Sequence, residues 1–237
     1  MRDLIKKFIP KYRKQFIDHY RKMSFSQCGE DNIIDYVFTL RNILNPSYLD
    51  IGANHPYFLN NTAIFYERGC RGTNIEANSL LVDLFRHHRS KDINLNIGIG
   101  SKAGELDFYI FKDDTLSTFS KEEAEQQKKS GKSFARTEKI QIKTLNYIVS
   151  EYCKGVFPDL LSIDVEGVDF EILQSTDFSA NKPKIICAET AEYSPIGAGA
   201  KRTDYIKYIE NLGYYLYADT NLNSIFVEHA FWFDKRK

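Results

Sequence analysis

Long apolar runs are missing from this chain. No segment approaches the ~20 consecutive apolar residues that a membrane-crossing helix needs, and the opening MRDLIKKFIPKYRK has neither the unbroken apolar stretch nor the small-residue cleavage site of a secretory leader. The expected location is the cytoplasm. Cysteine is sparse: Cys28, Cys70, Cys153 and Cys187 lie far apart, with no Cys-x-x-Cys pair and no Cys/His cluster. Neither a zinc site nor a redox dithiol is signalled, and core thiols are expected. Net charge is absent too. Lys plus Arg and Asp plus Glu balance at 32 each, which removes the global field that would draw in nucleic acid, and no broad basic stripe replaces it. Any electrostatic effect must be local.

The one lopsided stretch is residues 1–22, where only Asp3 and Asp18 oppose many Lys and Arg. Leu4, Phe8, Tyr12, Phe16 and Tyr20 recur every fourth position, the spacing of one helical stripe, although Pro10 kinks or divides it. Residues 1–23 therefore read as a basic amphipathic helical arm. It packs across the domain or, in the alternative, makes a peripheral contact with a partner or an anionic membrane surface.

Residues 24–237 read as one domain, because a chain of 237 residues that is 43% hydrophobic can bury a sizeable single core. Short β-rich runs alternate with helical patterns, which predicts parallel strands joined by crossover helices in an α/β fold. SYLDI, GTNIEA and INLNIGI read as the first three strands, with a helix over about 60–68 closed by Gly69 and an amphipathic helix through NSLLVDLFRHHR. ELDFYIF, IQI, LLSID, PKIICAE, YYLYAD and NSIFVEH supply further strands, and TLNYIVSEYC, DFEILQS and TDYIKYIENLG further helices. The polar stretch over 120–139 has few apolar anchors and reads as a mobile insertion, a lid or substrate loop, or else a plain solvated helix.

Glycine is scarce where it matters most. YLDIGANHPYFLNNT (48–62) has the look of a nucleotide-binding turn, yet it carries one glycine where dinucleotide loops carry three; the next two glycine positions hold Asn54 and Tyr57. Those side chains occupy the volume of two phosphates, and Pro56 removes a backbone N–H. A nicotinamide or flavin coenzyme is disfavoured. Gly52 and the carboxylate of Glu76 at the end of the second strand nevertheless suit an adenosine ligand, because a carboxylate there accepts from both ribose hydroxyls. The pattern fits a nucleoside without phosphates, S-adenosylmethionine.

Taken together, SQCGED (26–31), DIGANHPYFLNNT, RGTNIEAN (71–78), LSTFS (116–120), LLSIDVEGVDFEIL (160–173), PKIICAE (183–189) and NSIFVE (223–228) resemble the FkbM family of S-adenosylmethionine-dependent methyltransferases. The resemblance runs from about residue 24 to about residue 231, in the family's order. It implies a class I methyltransferase (Rossmann-like) fold, a mostly parallel sheet with helices on both faces and an antiparallel last strand. It also implies O-methylation of a sugar hydroxyl in a surface glycan or natural product, so a carbohydrate acceptor is the expected partner. Carried over by motif, Asp50, Gly52 and Asn54 line the methionine end, Glu76 the ribose, and Asn96 with Ile97 the adenine edge. Ala53, Asn61, Ala77 and Asp164 complete the implied cofactor set, and Ser117, Thr118, Gln27 and Glu30 fall at positions near the family's active site.

Methyl transfer to a hydroxyl asks for alignment and for a base within hydrogen-bond reach. In LSIDVEG, Asp164 ends a strand and Glu166 follows two residues later, so in an extended chain both carboxylates point to one side. Asp164 is the first choice for base, with Glu166 assisting; the competing role for either is to cap the helix beginning near Val168. His55 is the next candidate, weighed against a turn histidine. A divalent metal held by Asp164, Glu166 and Glu189 stays open without being assigned. AEYSPIGAGAKR (191–202) is the expected acceptor loop, and Tyr193, Tyr214, Tyr215 and Trp232 are candidates to stack on a sugar. The competing function is a non-catalytic module that keeps this fold to bind a glycan or a protein partner.

Overall fold

The computed structural model describes residues 22–165, 167–192 and 199–234. Strand β1 (Tyr48–Ile51) is buried along its whole length, as a central parallel strand must be, and pairs in register with β2 (Gly72–Ile75) and β7 (Leu160–Ile163). Parallel strands β3 (Ile93–Leu95) and β8 (Ile185–Glu189) extend the sheet on either side. The last strand, β10 (Asn223–Glu228), inserts antiparallel between β8 and β9 (Tyr214–Asp219). The order β3-β2-β1-β7-β8-β10-β9 is that of a class I methyltransferase sheet.

Alternation along the strands sorts two cores. Leu49, Ile51, Leu161, Ile163, Ile186 and Ala188 pack with residues of α5 (Leu145–Tyr152), α6 (Asp169–Gln174) and α7 (Thr203–Asn211). Tyr48, Leu160, Ile185 and Cys187 pack with α1 (Glu30–Leu40) and α2 (Ala63–Arg68). Asp50 therefore faces the α1/α2 layer. Helix α3 (Ser79–His88) buries Leu81, Val82 and Phe85, and Asn78 caps it by accepting from Leu80 N. Among the described residues, no helix is long and apolar enough to cross a membrane.

Several expectations change. INLNIGI is two strands, because β3 stays in the main sheet whereas β4 (Gly98–Ile99) joins a second sheet of order β4-β6-β5. The break falls at Asn96, whose amide donates to the carbonyls of Glu76 and Ala77 and so pins the exit of β2. The stretch 121–139 is a helix, α4 (Lys121–Lys129), followed by most of a long strand, β6 (Phe134–Lys143), antiparallel to β5 (Gly104–Phe111). It looked featureless because α4 buries only Ala124 and β6 is buried only near its end. Helix α2 starts at Ala63, later than expected, since Asn60 Oδ1 takes the N–H groups of Thr62 and Ala63. Helices α1 and α8 (His229–Phe233) were not expected, and Cys28 is exposed. The arm assigned to residues 1–23 lies outside the described residues apart from Lys22 and Met23.

Candidate functional site

The registers place one row of residues across the carboxyl edge of the sheet. One position beyond the last residues paired in parallel of β3, β2, β1, β7 and β8 stand Asn96, Glu76, Gly52, Asp164 and Glu189, and Glu189 pairs in turn with Asn223 of the antiparallel β10. Neighbouring strands are about 4.8 Å apart, so two carboxylate residues flank a single glycine and a third, Glu189, stands one strand further along. A Cβ on Gly52 would lie 1.8 Å from the carbonyl oxygen of Asp164, and its φ is +72°. The glycine is needed where β1 leaves the sheet against the end of β7.

The loop after Gly52 turns its N–H groups inward. Gly52 and Ala53 donate to the carbonyl of Ile75, and Asn54, itself at φ 51°, donates to Glu76 Oε2 at 2.9 Å. Tyr57 and Phe58 donate to His55 Nδ1 at 3.2 and 3.0 Å. Glu76 Oε1 accepts from Asn78 N at 2.7 Å, so each carboxylate oxygen holds one backbone N–H and keeps acceptor capacity for more. Burial pushes the Glu76 carboxyl up to about 7 against these N–H groups, and the nearby Asp114 adds to the rise. Asp114 is held near Glu76 by Asn78 Nδ2, which donates to it at 3.0 Å.

Asp50 does not reach the edge. It is fully buried, and one oxygen accepts from Thr62 Oγ1 at 2.7 Å and Asn60 Nδ2 at 3.1 Å. Burial raises its carboxyl, opposed by Thr62, the Arg89 charge, Ser162 and Asn60. The methionine-end role implied for Asp50 gives way to a structural one: it fastens the loop from beneath. Asn61 donates to Ser162 Oγ at 3.3 Å on the same face of the sheet.

Asp164 is exposed at the strand end, with its N–H given to Ile51 O. Glu166 lies outside the described residues. Among the described residues the helix that begins at Asp169 has no side-chain cap, and the buried Asp169 instead fastens the strand exit, its Oδ1 accepting from Val165 N at 2.9 Å. His55 is a correction: its Nδ1 lone pair is taken by two N–H groups, so the neutral ring carries its proton on Nε2 and offers no lone pair to an acceptor. Burial and the neighbouring His88 lower its pKa further, with Asp114 opposing. Ala53 and Ala77 are buried and Ile97 half-buried beside the row.

Glu30 is fully buried and accepts from Cys28 N, Thr220 Oγ1 and Asn223 Nδ2, tying α1 to the β9–β10 turn. Burial alone would raise its carboxyl, but these bonds hold it below the usual range. Ser117 Oγ accepts from Phe111 N, and Thr118 Oγ1 donates to Glu123 and accepts from Ser120 N, so both brace a turn. Tyr214 is core, its hydroxyl bonded to Pro183 O, while Tyr193 lies outside the described residues. The base of the 191–202 loop is closed by the Ala191–Lys201 bridge and by Arg202 N to Thr190 O; residues 193–198 lie outside the described residues. Among the described residues, no group of three or more His, Cys, Asp or Glu converges to hold a metal.

The residues not anticipated are Asn60, Thr62, Arg89 and Asp92, a buried polar group behind the loop. Their signal is Arg89, a charge that continues the core-facing stripe Leu81, Val82, Phe85 of α3.

Compared with known proteins, the chain matches a family model described as "Methyltransferase FkbM domain" over residues 50–216. No curated protein matches it. Among solved structures it is similar to the FkbM methyltransferase from Methylobacillus flagellatus KT, at 13% identity and TM-score 0.44, covering 77% of this chain and 43% of that one. The chain thus spans under half the length of that protein. It is also similar to an O-methyltransferase from Bacillus cereus in complex with SAH, at 12% identity and TM-score 0.40, covering 92% of this chain and 88% of that one.

Proposed function

The chain belongs to the FkbM methyltransferase family, and from that premise we propose that it is an S-adenosylmethionine-dependent O-methyltransferase whose acceptor is a sugar hydroxyl. The observation that carries the cofactor reading is the direction of the loop's N–H groups. A diphosphate is held by N–H groups aimed out of such a turn, whereas Gly52, Ala53 and Asn54 give theirs to Ile75 O and Glu76. What the turn presents instead is a buried carboxylate with spare lone pairs, which suits a ribose diol. The carboxylate row suits a cationic ligand.

When bound, the cofactor supplies an electrophilic methyl group on a positive sulfur. The chain supplies position and a base. Glu76 would accept from the two ribose hydroxyls, Asn61, Ala77, Asn96 and Ile97 would hold the nucleoside, and Gly52, Ala53 and Asn54 would hold its amino-acid tail. Asp164, exposed beside Gly52, accepts the proton of the acceptor hydroxyl. Sequence resemblance rather than contact geometry supports the sugar, so the acceptor is the part to test first.

The test incubates the purified chain and its Asp164→Asn variant with isotope-labelled S-adenosylmethionine and a panel of free, nucleotide-linked and lipid-linked sugars, and reads products by mass spectrometry. Label should enter a sugar hydroxyl with the unaltered chain. The variant should run slower by roughly 10²- to 10⁴-fold, the usual worth of a positioned base. Sugar binding with no label transfer would instead favour a non-catalytic glycan-binding module.

A further inference from the structure

Among the described residues, Arg89 is the largest fully enclosed side chain. Its guanidinium lies against the rings of Tyr48, Tyr66 and Phe85, with centroids 5.2 to 5.3 Å away. Its Nε donates to Asp92 Oδ2 at 3.0 Å, and Nη2 lies 2.9 Å from the same oxygen. The remaining donors turn toward the cofactor loop: Nη1 to Asn60 Oδ1 at 3.1 Å and Nη2 to Thr62 Oγ1 at 3.0 Å. Those two acceptors are the side chains that hold Asp50. Asn60 Nδ2 also donates to the Ala53 carbonyl at 3.1 Å, inside the turn itself.

A buried ion pair is weak evidence for stability, because desolvating both charges offsets most of their attraction. A hydrophobic residue at position 89 would fill the space between three aromatic rings without that cost. What an arginine adds is a planar fork that reaches three acceptors in fixed directions. We infer that Arg89 is a positioning residue for methyl transfer: braced on Asp92, it holds Asn60 and Thr62 so that the turn Gly52–Asn61 stands ready to receive the methyl donor. This rests on reading that turn as the cofactor's.

The test separates positioning from simple stability. Arg89→Lys keeps a charge beside Asp92 but cannot span Asn60 and Thr62 together, and Thr62→Val removes the fork's far acceptor, together with that residue's bond to Asp50, while leaving the ion pair intact. Affinity for S-adenosylhomocysteine is measured by calorimetry well below each melting temperature, with amide exchange of Asn60, Thr62 and Ala63 followed in the ligand-free protein. Each variant should weaken binding about tenfold or more, the double variant by much less than the product of the two, and exchange should quicken in this turn but not in β7. Unchanged affinity with a merely lower melting temperature, or exchange that rises uniformly, would overturn the inference. If Arg89→Lys does not fold, Arg89→Met, which fills the space between the rings without the fork, decides on the same two readouts. If the unaltered chain does not bind S-adenosylhomocysteine, the proposed function falls, and the exchange measurement still decides whether Arg89 orders the turn.

Discussion

Glu76 shows how far a single residue was legible. A carboxylate at the end of the second strand, after a turn of one glycine, pointed to a ribose from the sequence, and the structure adds what no linear pattern carries: both oxygens anchored by Asn54 N and Asn78 N, and a carboxyl pushed up to about 7 by burial. The same group acts in opposite directions on stability and on binding. Its folded pKa stands above the ordinary 4.5, so the folded chain holds the proton more tightly, and this contribution to stability is lost as pH rises from about 4.5 to about 7. For a fully buried group that amounts to on the order of 3 kcal/mol. Asp50 and Asp169, also raised by burial, share the sign; His55, lowered but partly exposed, opposes it more weakly. Glu30, Asp159 and Asp219 are lowered and have finished titrating below this window. Ribose hydroxyls donate to the carboxylate, so affinity for S-adenosylhomocysteine should instead tighten as pH rises through 7. Melting curves and calorimetry from pH 5 to 8 check both slopes, and Glu76→Gln should flatten both while weakening binding roughly 10- to 150-fold, the worth of a charged hydrogen bond. Gly52 was read as a cofactor glycine, but its tightest demand is the Asp164 carbonyl. Gly52→Ala should lower the urea unfolding free energy by at least about 2 kcal/mol even without ligand. The Asn60, Thr62, Arg89 and Asp92 group was legible only through Arg89 on the core-facing stripe of α3, because its two pairs lie far apart in sequence and polar residues advertise a surface.

At the scale of elements, the mainly apolar strands were readable because burial on both faces leaves room for few polar residues: YLDI, LLSI and IICAE match β1, β7 and β8. The second sheet was not. β6 runs from Phe134 to Lys143, yet its first half is largely exposed, so its sequence carries no alternation to detect; its partner β5 supplies the hydrogen bonds that hold it straight. Helix α4 stands on equally little core, which makes its ends important. Ser120 Oγ accepts from Glu123 N at 3.2 Å, and Glu123 is held in turn by Thr118 Oγ1 at 2.7 Å. A cap of this kind contributes about 1 kcal/mol. Ser120→Ala should therefore speed amide exchange in α4 by about fivefold, with β1 and β7 unaffected, because the helix opens without the sheet. A global loss of protection would mean that α4 belongs to the main cooperative unit.

For the whole molecule, composition gave a neutral chain and the fold makes that neutrality uneven. Glu76, Asp164 and Glu189 are brought to one edge by strand register, while Arg89 is enclosed behind the loop, so carboxylates gather at that edge although the totals cancel. No count of residues reveals this; it follows from strand order, which local periodicity does not encode and which only the family resemblance implied. The uneven field and the inward-turned N–H groups make one joint demand, a cationic or neutral nucleoside in preference to one carrying phosphates. A ligand that binds only the folded chain stabilises it by about 2.7 kcal/mol at one hundred times its dissociation constant, and each kcal/mol moves the melting temperature of a domain this size by about 2 to 4 °C. S-adenosylmethionine or S-adenosylhomocysteine at that excess should thus raise the melting temperature by roughly 5 to 10 °C. NAD and NADH at the same concentration should leave it unmoved, since Asn54 N and its neighbours would have to leave Glu76 and Ile75 to meet a diphosphate. A shift with the nicotinamide coenzyme and none with the sulfur nucleosides would overturn the assignment of the turn, and with it the roles given to Glu76 and Asp164.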